Sequence, residues 1–313
     1  MIKNIRRFPI DFEEGLLIKI KPPKDYKEIK NIVVAGMGGS AIPGQILKDG
    51  LALKYPLEIS RSYTLPSFVN KDTLLICLSY SGNTQETLNQ FNQGIKRKAK
   101  IIVITSGGKL KSKAQKLKIP LIEIPCGFLP RESLPYLLSA LIKILKALNL
   151  TKESFNLKAL KKGNIEKEAK AFTKKMKKTS PIICSHYSSA SFRWESQLSE
   201  NAKQISESKT LPELAHNEIV SWKQLNKNYS LIFLRDEKET KEMKALIRGI
   251  RKIIKNKTKI LEVYGKGNTK LERILYLILF GDFVSYFLAQ ENKVNPRETK
   301  YIEALKKEIK KIS

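Results

Sequence analysis

The sequence predicts an α/β protein with two parallel sheets in tandem, each flanked by helices, and three observations carry that expectation. The 313 residues exceed one typical domain but suit two of about 150 each. Short β-rich runs alternate with helical stretches through the first half. The same alternation returns, more sparsely, after a basic linker. No short sequence repeat is visible.

In the first half the runs Ile32–Ala35, Leu57–Ser60, Leu74–Leu78, Ile101–Thr105 and Pro120–Ile124 are short and β-rich, as strands covered on both faces require. The helical stretches Ala41–Lys54, Gln85–Lys98 and Leu110–Lys116 separate them, the order expected of parallel strands joined by crossover helices. Arg131–Ala147 reads as a long apolar helix that closes the unit, with Pro135 near its start. Thr151–Lys178 is polar, basic and helical by period, and it links the halves. Strand-like runs follow at Pro181–Cys184, Ser230–Leu234 and Ile260–Tyr264, with helices expected near Trp194–Gln204, Lys238–Lys255, Leu271–Ala289 and Thr299–Lys311.

A hydrophobic fraction of 42% provides for an ordinary core. The 59 basic residues outnumber the 30 acidic ones, for a net charge of +29. Most of the excess is lysine, dense at Lys158–Lys178, Arg248–Lys259 and Lys306–Lys311, where helical spacing places it on solvated faces. Arginine clusters interleaved with aromatics, the marks of a nucleic-acid platform, are missing, so no specific nucleic-acid partner is expected. The charge does predict a field that draws anionic substrates inward. The N-terminal stretch has no apolar run long enough for a signal peptide. Ile274–Ala289 is too short to span a bilayer and carries Asp282, so it reads as a core helix and no membrane partner is expected. Cys77, Cys126 and Cys184 read as reduced, buried thiols of a cytoplasmic protein. With two histidines and no clustered cysteines, neither a dedicated metal site nor a cofactor is expected.

The most informative stretch is Leu74–Thr87 (LLICLSYSGNTQET). An apolar strand breaks into Ser79-Tyr80-Ser81-Gly82-Asn83-Thr84 and then into a helix start. Three hydroxyls, a turn glycine and the N–H groups of a helix N-terminus make an anion site of neutral donors, suited to a phosphate monoester. The plainer alternative is a strand-to-helix turn whose Ser and Thr are caps. One strand earlier, Gly36-Met37-Gly38-Gly39-Ser40-Ala41 lets backbone approach a ligand closely. It also fits a relaxed dinucleotide fingerprint, but the second strand ends Ile59-Ser60-Arg61 with no acid for a ribose, and only Arg61 speaks for a 2′-phosphate. Three further positions stand out. Arg131 follows the rigid approach Gly127-Phe128-Leu129-Pro130, Glu200 lies in SENAK, and His216 sits among polar turn residues. An exposed glutamate on a basic protein carries no signal by itself, and His186 reads as a packing or capping residue.

The segments GMGGSAIPG, SYSGNTQETL, ITSGG, PRESLPYLL, the Glu200 segment, AHNEIVSW and GDFVSYFLA occur in that order along essentially the whole chain. Together they resemble the archaeal-type bifunctional phosphoglucose/phosphomannose isomerases of the sugar isomerase (SIS) superfamily. The resemblance implies two SIS-type domains of flavodoxin-like three-layer form, residues 1–152 with the sugar-phosphate loops and 153–313 with the catalytic Glu and His. It also implies a homodimer with active sites at the subunit interface. Carried over by residue, Gly38, Gly39 and Ser40 run along the sugar, and Ser79, Ser81 and Thr84 hold the phosphate. Arg131 stabilises an enediolate, Glu200 moves a proton between C1 and C2, and His216 of the partner subunit assists ring opening. A threonine and a lysine seven residues apart fit Thr299 and Lys306, with Lys307 adjacent. Ser133, Pro135, Ser221 and Asn292–Glu298 depart from the usual family text.

The implied reaction is a metal-independent interconversion of glucose 6-phosphate and mannose 6-phosphate with fructose 6-phosphate. An aldose and its ketose differ by one proton between carbons and one between oxygens, so one carboxylate serves both directions. A small side chain such as Thr299 would leave room for C2–C3 rotation, and so for both epimers. A SIS-fold regulatory module that binds a phosphosugar without converting it is the alternative; Glu200 and His216 weigh against it.

Overall fold

The computed structural model describes residues 1–312 except 21, 22, 24, 25, 27, 162 and 177, with 310 and 312 described by backbone alone. Lys162 and Lys177 of the basic stretch Lys158–Lys178 therefore lie outside the described residues. Two compact units emerge: Arg6–Lys161 with Gly267–Ile274, and Met1–Ile5 with Lys162–Lys266 and Leu275–Ser313. The partition is not one cut, because two helices each contribute a turn to the unit that does not hold the rest of them.

The unit built on Arg6–Lys161 contains most of α1 (Ile2–Leu17), then β1 (Asn31–Ala35), α2 (Ile42–Gly50), β2 (Leu57–Ser60), β3 (Thr73–Leu78), α3 (Gln85–Lys96), β4 (Lys100–Thr105), α4 (Gly108–Lys116), β5 (Leu121–Glu123), α5 (Leu134–Ala147) and α6 (Lys158–Lys161). The strands pair in the order β2-β1-β3-β4-β5, all parallel. Alternate residues serve opposite faces, as strand geometry demands. Val33, Ala35, Leu75, Cys77 and Val103 pack with Leu88 and Phe91 of α3 and Leu110 and Ala114 of α4. Val34 and Ile59 of the other face meet α2 at Gly44, and α5 packs on α2 and β4.

The second unit contains α7 (Ile165–Met176), β6 (Ser180–Ser185), α8 (Ser188–Ala202), β7 (Glu207–Thr210), β8 (Tyr229–Asp236), α9 (Lys241–Ile253), β9 (Lys259–Gly265), most of α10 (Lys270–Glu291) and α11 (Lys300–Ile312). Its sheet runs β7-β6-β8-β9, again all parallel. Ile182, Cys184, Leu231 and Phe233 pack against Ile247, Ile250 and Ile254 on the α9 side. An aromatic cluster of Phe172, Trp194 and Phe280 joins α7, α8 and α10, with Trp194 and Phe280 stacked at 6.1 Å. Both units are therefore the helix-flanked parallel sheets that the alternation predicts. No helix among the described residues is long and apolar enough to cross a membrane.

Several expectations need correction. Arg131 does not open the long helix: it lies in a separate 3-10 turn, Pro130–Glu132, and α5 starts at Leu134 with Pro135 in its first turn, where a missing N–H costs nothing. The linker 151–178 is not one helix; it is irregular to Leu157 and then breaks around Gly163 between α6 and α7. β7 has the sequence ESKT, a polar edge strand without the apolar signal that marks the others. Cys77 and Cys184 are fully buried, but Cys126 is exposed, two residues after Ile124 and beyond the end of β5. Burial pushes the Cys77 and Cys184 thiols far up in pKa, and only the thiolate reacts. A thiol reagent should therefore modify one cysteine per native chain, Cys126, and all three in denaturant. Peptide mapping of the labelled protein checks this, and native labelling of Cys77 or Cys184 would contradict the packing described.

Candidate active site

In the first sheet β1 and β3 are neighbours whose following loops leave in opposite directions, which opens a crevice at their C-terminal ends. Gly36–Ser40 forms one wall and Ser79–Thr84 the other. The Ser79 and Thr84 hydroxyls share a hydrogen bond of 2.9 Å, and Ser79 Oγ accepts the Gly82 N–H at 3.2 Å. Ser81 Oγ, exposed, accepts the Asn83 N–H at 3.3 Å. Thr84 occupies the N-cap position of α3 but makes no capping bond; its hydroxyl turns to Ser79 instead. The cap alternative thus fails at Thr84. The first N–H groups of α3 have no carbonyl acceptor within their own helix, so hydroxyls and amides form one set of neutral donors. Gly82 (φ +65°) is required here, since a Cβ would collide with the Gly107 carbonyl in the loop after β4.

Tyr80, marked by no signal in the sequence, ties these loops together. Its N–H donates to Ser40 Oγ at 3.1 Å. Its carbonyl accepts Ser106 Oγ at 2.7 Å and the Ser106 N–H at 3.0 Å. Its Oη accepts the Phe128 N–H at 2.8 Å, which fixes the approach to Arg131. Arg131 is only 3% exposed. A Cβ on Gly39 would lie 3.3 Å from the Pro130 carbonyl and 3.4 Å from Arg131 Cα, so glycine is what lets the two loops come this close. Gly39, Ser40, Ser79, Ser81, Thr84 and Arg131 are therefore gathered at one end of the first sheet, with Gly38 exposed at its rim.

Glu200, His216, Thr299 and Lys306 belong to the second unit. Glu200 lies on the last turn of α8, which is pinned to α10 along its length. Arg193 grips Asp282 with two bonds of 3.0 and 2.9 Å, Trp194 Nε1 donates to the Leu277 carbonyl at 2.8 Å, and Asn201 donates to Ser285 Oγ at 2.9 Å. Burial pushes the Asp282 carboxyl up in pKa, and Arg193 opposes that. Half-buried Glu200 and Thr299 line one cavity of about 490 Å³, together with Ser199, Lys203, Gln204 and Ile205. Lys306 is exposed on α11 and is not among the residues lining that cavity. His216 is exposed at the end of the 3-10 turn Glu213–His216 and does not line it either.

The second sheet has the equivalent crevice between β6 and β8, but its chemistry is opposite. The Tyr187 hydroxyl donates to Asp236, and Asp236 accepts the Lys238 N–H at 2.7 Å. Glu239 accepts the Asp236 N–H at 3.0 Å and takes Arg235 at 2.6 Å. Carboxylates of the chain itself occupy the loop's donors, so an added phosphate would meet repulsion instead of a cradle.

A family model described as the C-terminal SIS domain of bacterial phospho-glucose isomerase matches residues 165–309. A bifunctional phosphoglucose/phosphomannose isomerase of Aquifex aeolicus (strain VF5) is 36% identical over 300 residues, covering 92% of this chain and 93% of that one. The protein of the same name from Thermoplasma acidophilum is 34% identical over 284 residues, 89% of each chain. Among solved structures, the C-terminal domain of glucosamine-fructose-6-phosphate aminotransferase from Francisella tularensis matches with a TM-score of 0.72 over 95% of this chain and 97% of that one. At 15% identity that likeness is one of fold alone. Identity at this level to named relatives over most of the length, on a scaffold of paired parallel sheets with the hydroxyl crevice in the first, places the chain in the bifunctional phosphoglucose/phosphomannose isomerase family.

Proposed function

We propose that the protein is an aldose–ketose isomerase that interconverts glucose 6-phosphate and mannose 6-phosphate with fructose 6-phosphate. The observation that carries this is the hydroxyl cradle of Ser79 and Thr84, whose 2.9 Å contact replaces a helix cap in a chain whose relatives bear that name. Ser79, Ser81, Thr84 and the α3 amides would hold the phosphate monoester. Gly38, Gly39 and Ser40 would lie along the sugar.

In the proposed reaction the opened sugar presents C1 and C2 to Glu200. The Glu200 carboxylate takes the proton from one carbon, the electrons of that C–H bond form the C1–C2 double bond and push charge onto the carbonyl oxygen, and a proton passes between O1 and O2. The protonated Glu200 then gives its proton to the other carbon, which restores a carbonyl on the sugar and the carboxylate on the enzyme. Arg131 supplies the positive charge where negative charge develops. His216, exposed on its turn, is presented to the active site of the partner subunit in a homodimer, where it assists ring opening. Thr299, which lines the same cavity as Glu200, leaves room for C2–C3 rotation and so for both epimers. Lys306, seven residues after Thr299 on α11, would be the lysine of the same site, with Lys307 adjacent. No step in this scheme calls on a metal or redox cofactor. The two units would serve as the two domains of this cytoplasmic enzyme, one gripping phosphate and one moving the proton.

Three outcomes test the scheme. Glu200→Gln should lower kcat by roughly 10²–10⁴-fold while sugar-phosphate binding, followed by calorimetry, persists; retained turnover removes Glu200 as the base. Ser79→Ala with Thr84→Val should raise KM for each hexose 6-phosphate far more than it lowers kcat, and the loss should vanish for sugars without phosphate. Tyr80→Phe removes the acceptor of the part-buried Phe128 N–H, costing about 1 kcal/mol of stability, read as a lower denaturant midpoint. It should also lower kcat, because Arg131 loses its fixed approach.

A further inference from the structure

Lys203 follows α8 immediately and takes a left-handed backbone conformation, φ 54° and ψ 35°, at the helix C-cap. Lys203 is exposed, but its ammonium is tied back onto the backbone. Nζ donates to the Glu200 carbonyl at 2.6 Å and to the Glu298 carbonyl at 2.9 Å. One carbonyl belongs to Glu200 itself and the other precedes Thr299. A second link runs in parallel, from Asn292 Nδ2 to the Ala202 carbonyl at 3.0 Å. Glu200 and Thr299 both line the cavity, so this ammonium is a strap between the two stretches of backbone that carry them. A cation at this point also suits the negative end of the α8 dipole.

We propose that Lys203 is a positioning residue that holds Glu200 at a fixed distance from Thr299, so that the carboxylate meets C1 and C2 while the sugar keeps its freedom about C2–C3. The inference rests on Glu200 being the base. Proton transfer between adjacent carbons tolerates little error in the base, and a displacement of about 1 Å costs about 100-fold. Phosphate is held by the other unit, so cutting the strap acts on the chemical step and spares the grip. Glu200 and Thr299 together decide which face of the enediolate receives the proton, so the strap also governs the ratio of products.

The test uses the full-length enzyme and fructose 6-phosphate, with initial rates of glucose 6-phosphate and mannose 6-phosphate formation measured separately. Lys203→Met should lower kcat by roughly 10–100-fold, leave KM within about threefold, and shift the product ratio by about threefold or more. Lys203→Arg, which keeps a cation able to reach both carbonyls, should restore most of the rate and return the ratio toward its original value. If Lys203→Met does not fold, Asn292→Ala cuts the parallel link and should shift the ratio in the same direction. The product ratio does not depend on how much of the protein is folded. A ratio identical to that of the unsubstituted enzyme, including one with no mannose product in either, overturns the strap whatever happens to kcat. Glu200→Gln is assayed alongside. If it turns over, the base assignment and the strap fall together; if it is inert beside an unchanged Lys203→Met ratio, the strap alone falls.

Discussion

At the ends of β1 and β3 the chain turns in opposite directions, and the first crevice exists only because those two strands stay in register while their loops diverge. Ala35 stands beside Cys77 in the ladder, so both loops begin at the same level. Past that level the neighbouring strands still take the Gly36 and Ser79 amides, on the Ser60 and Ile104 carbonyls, but not the Tyr80 amide. The Tyr80 N–H is buried just past the end of β3, and a buried amide without an acceptor is costly. Ser40 supplies the acceptor from the facing loop. That single bond spans the crevice where the strands no longer do, and the remaining links of Tyr80 extend the same solution to the loops after β4 and before α5. The hydroxyls of Ser79 and Thr84 then meet each other beside the Gly82 amide, on a backbone that the links of Tyr80 hold in place.

How much of this was legible in the sequence depended on where each signal came from. Strands buried on both faces announce themselves as apolar runs, so β1, β2, β3, β4, β6 and β8 lie where those runs are. β7 pairs through its backbone at a sheet edge and needs no apolar side chains, so ESKT gave nothing to read. The Ser79–Thr84 loop was legible because its chemistry is local, with three hydroxyls and a glycine within six residues. Tyr80 was not, because its partners are distant in the chain and two of its three linking groups are backbone atoms, which every residue possesses. Glu200 and Thr299 came from the family resemblance, and the shared cavity brings them together. Lys306 came from the same resemblance, and it is exposed on the helix whose first residues, Lys300, Tyr301 and Ile302, line that cavity. Arg131 was expected on a helix; Pro130 and Pro135 instead divide the segment into a turn and a helix, and the turn buries the guanidinium.

The two sheets offer a comparison within one chain. Both place a crevice at the same point in the strand order, but the first lines it with neutral donors and the second fills it with Asp236 and Glu239. Burial of carboxylates is tolerated there because backbone N–H groups, Tyr187 and Arg235 meet them. The same topology therefore provides an anion cradle in one unit and a sealed polar core in the other. Strand order fixes where such a site can be, and the residues at the loop ends decide whether it is open.

The Ser79–Thr84 cradle and the Glu200–Thr299 cavity are built from separate units of the chain, and that separation has a consequence for descent. The grip is woven through Tyr80 into four loops, so most changes within it would disturb several contacts at once and be purged. The cavity rim is held by a few bonds near a helix end, where single substitutions alter spacing without loosening the grip. On the proposed assignments, divergence toward other phosphorylated sugars would accumulate around Glu200, Lys203 and Thr299, while the hydroxyl cradle stays as it is. Inherited variation would then be channelled into which carbon is acted on, and held out of the end by which the molecule is caught.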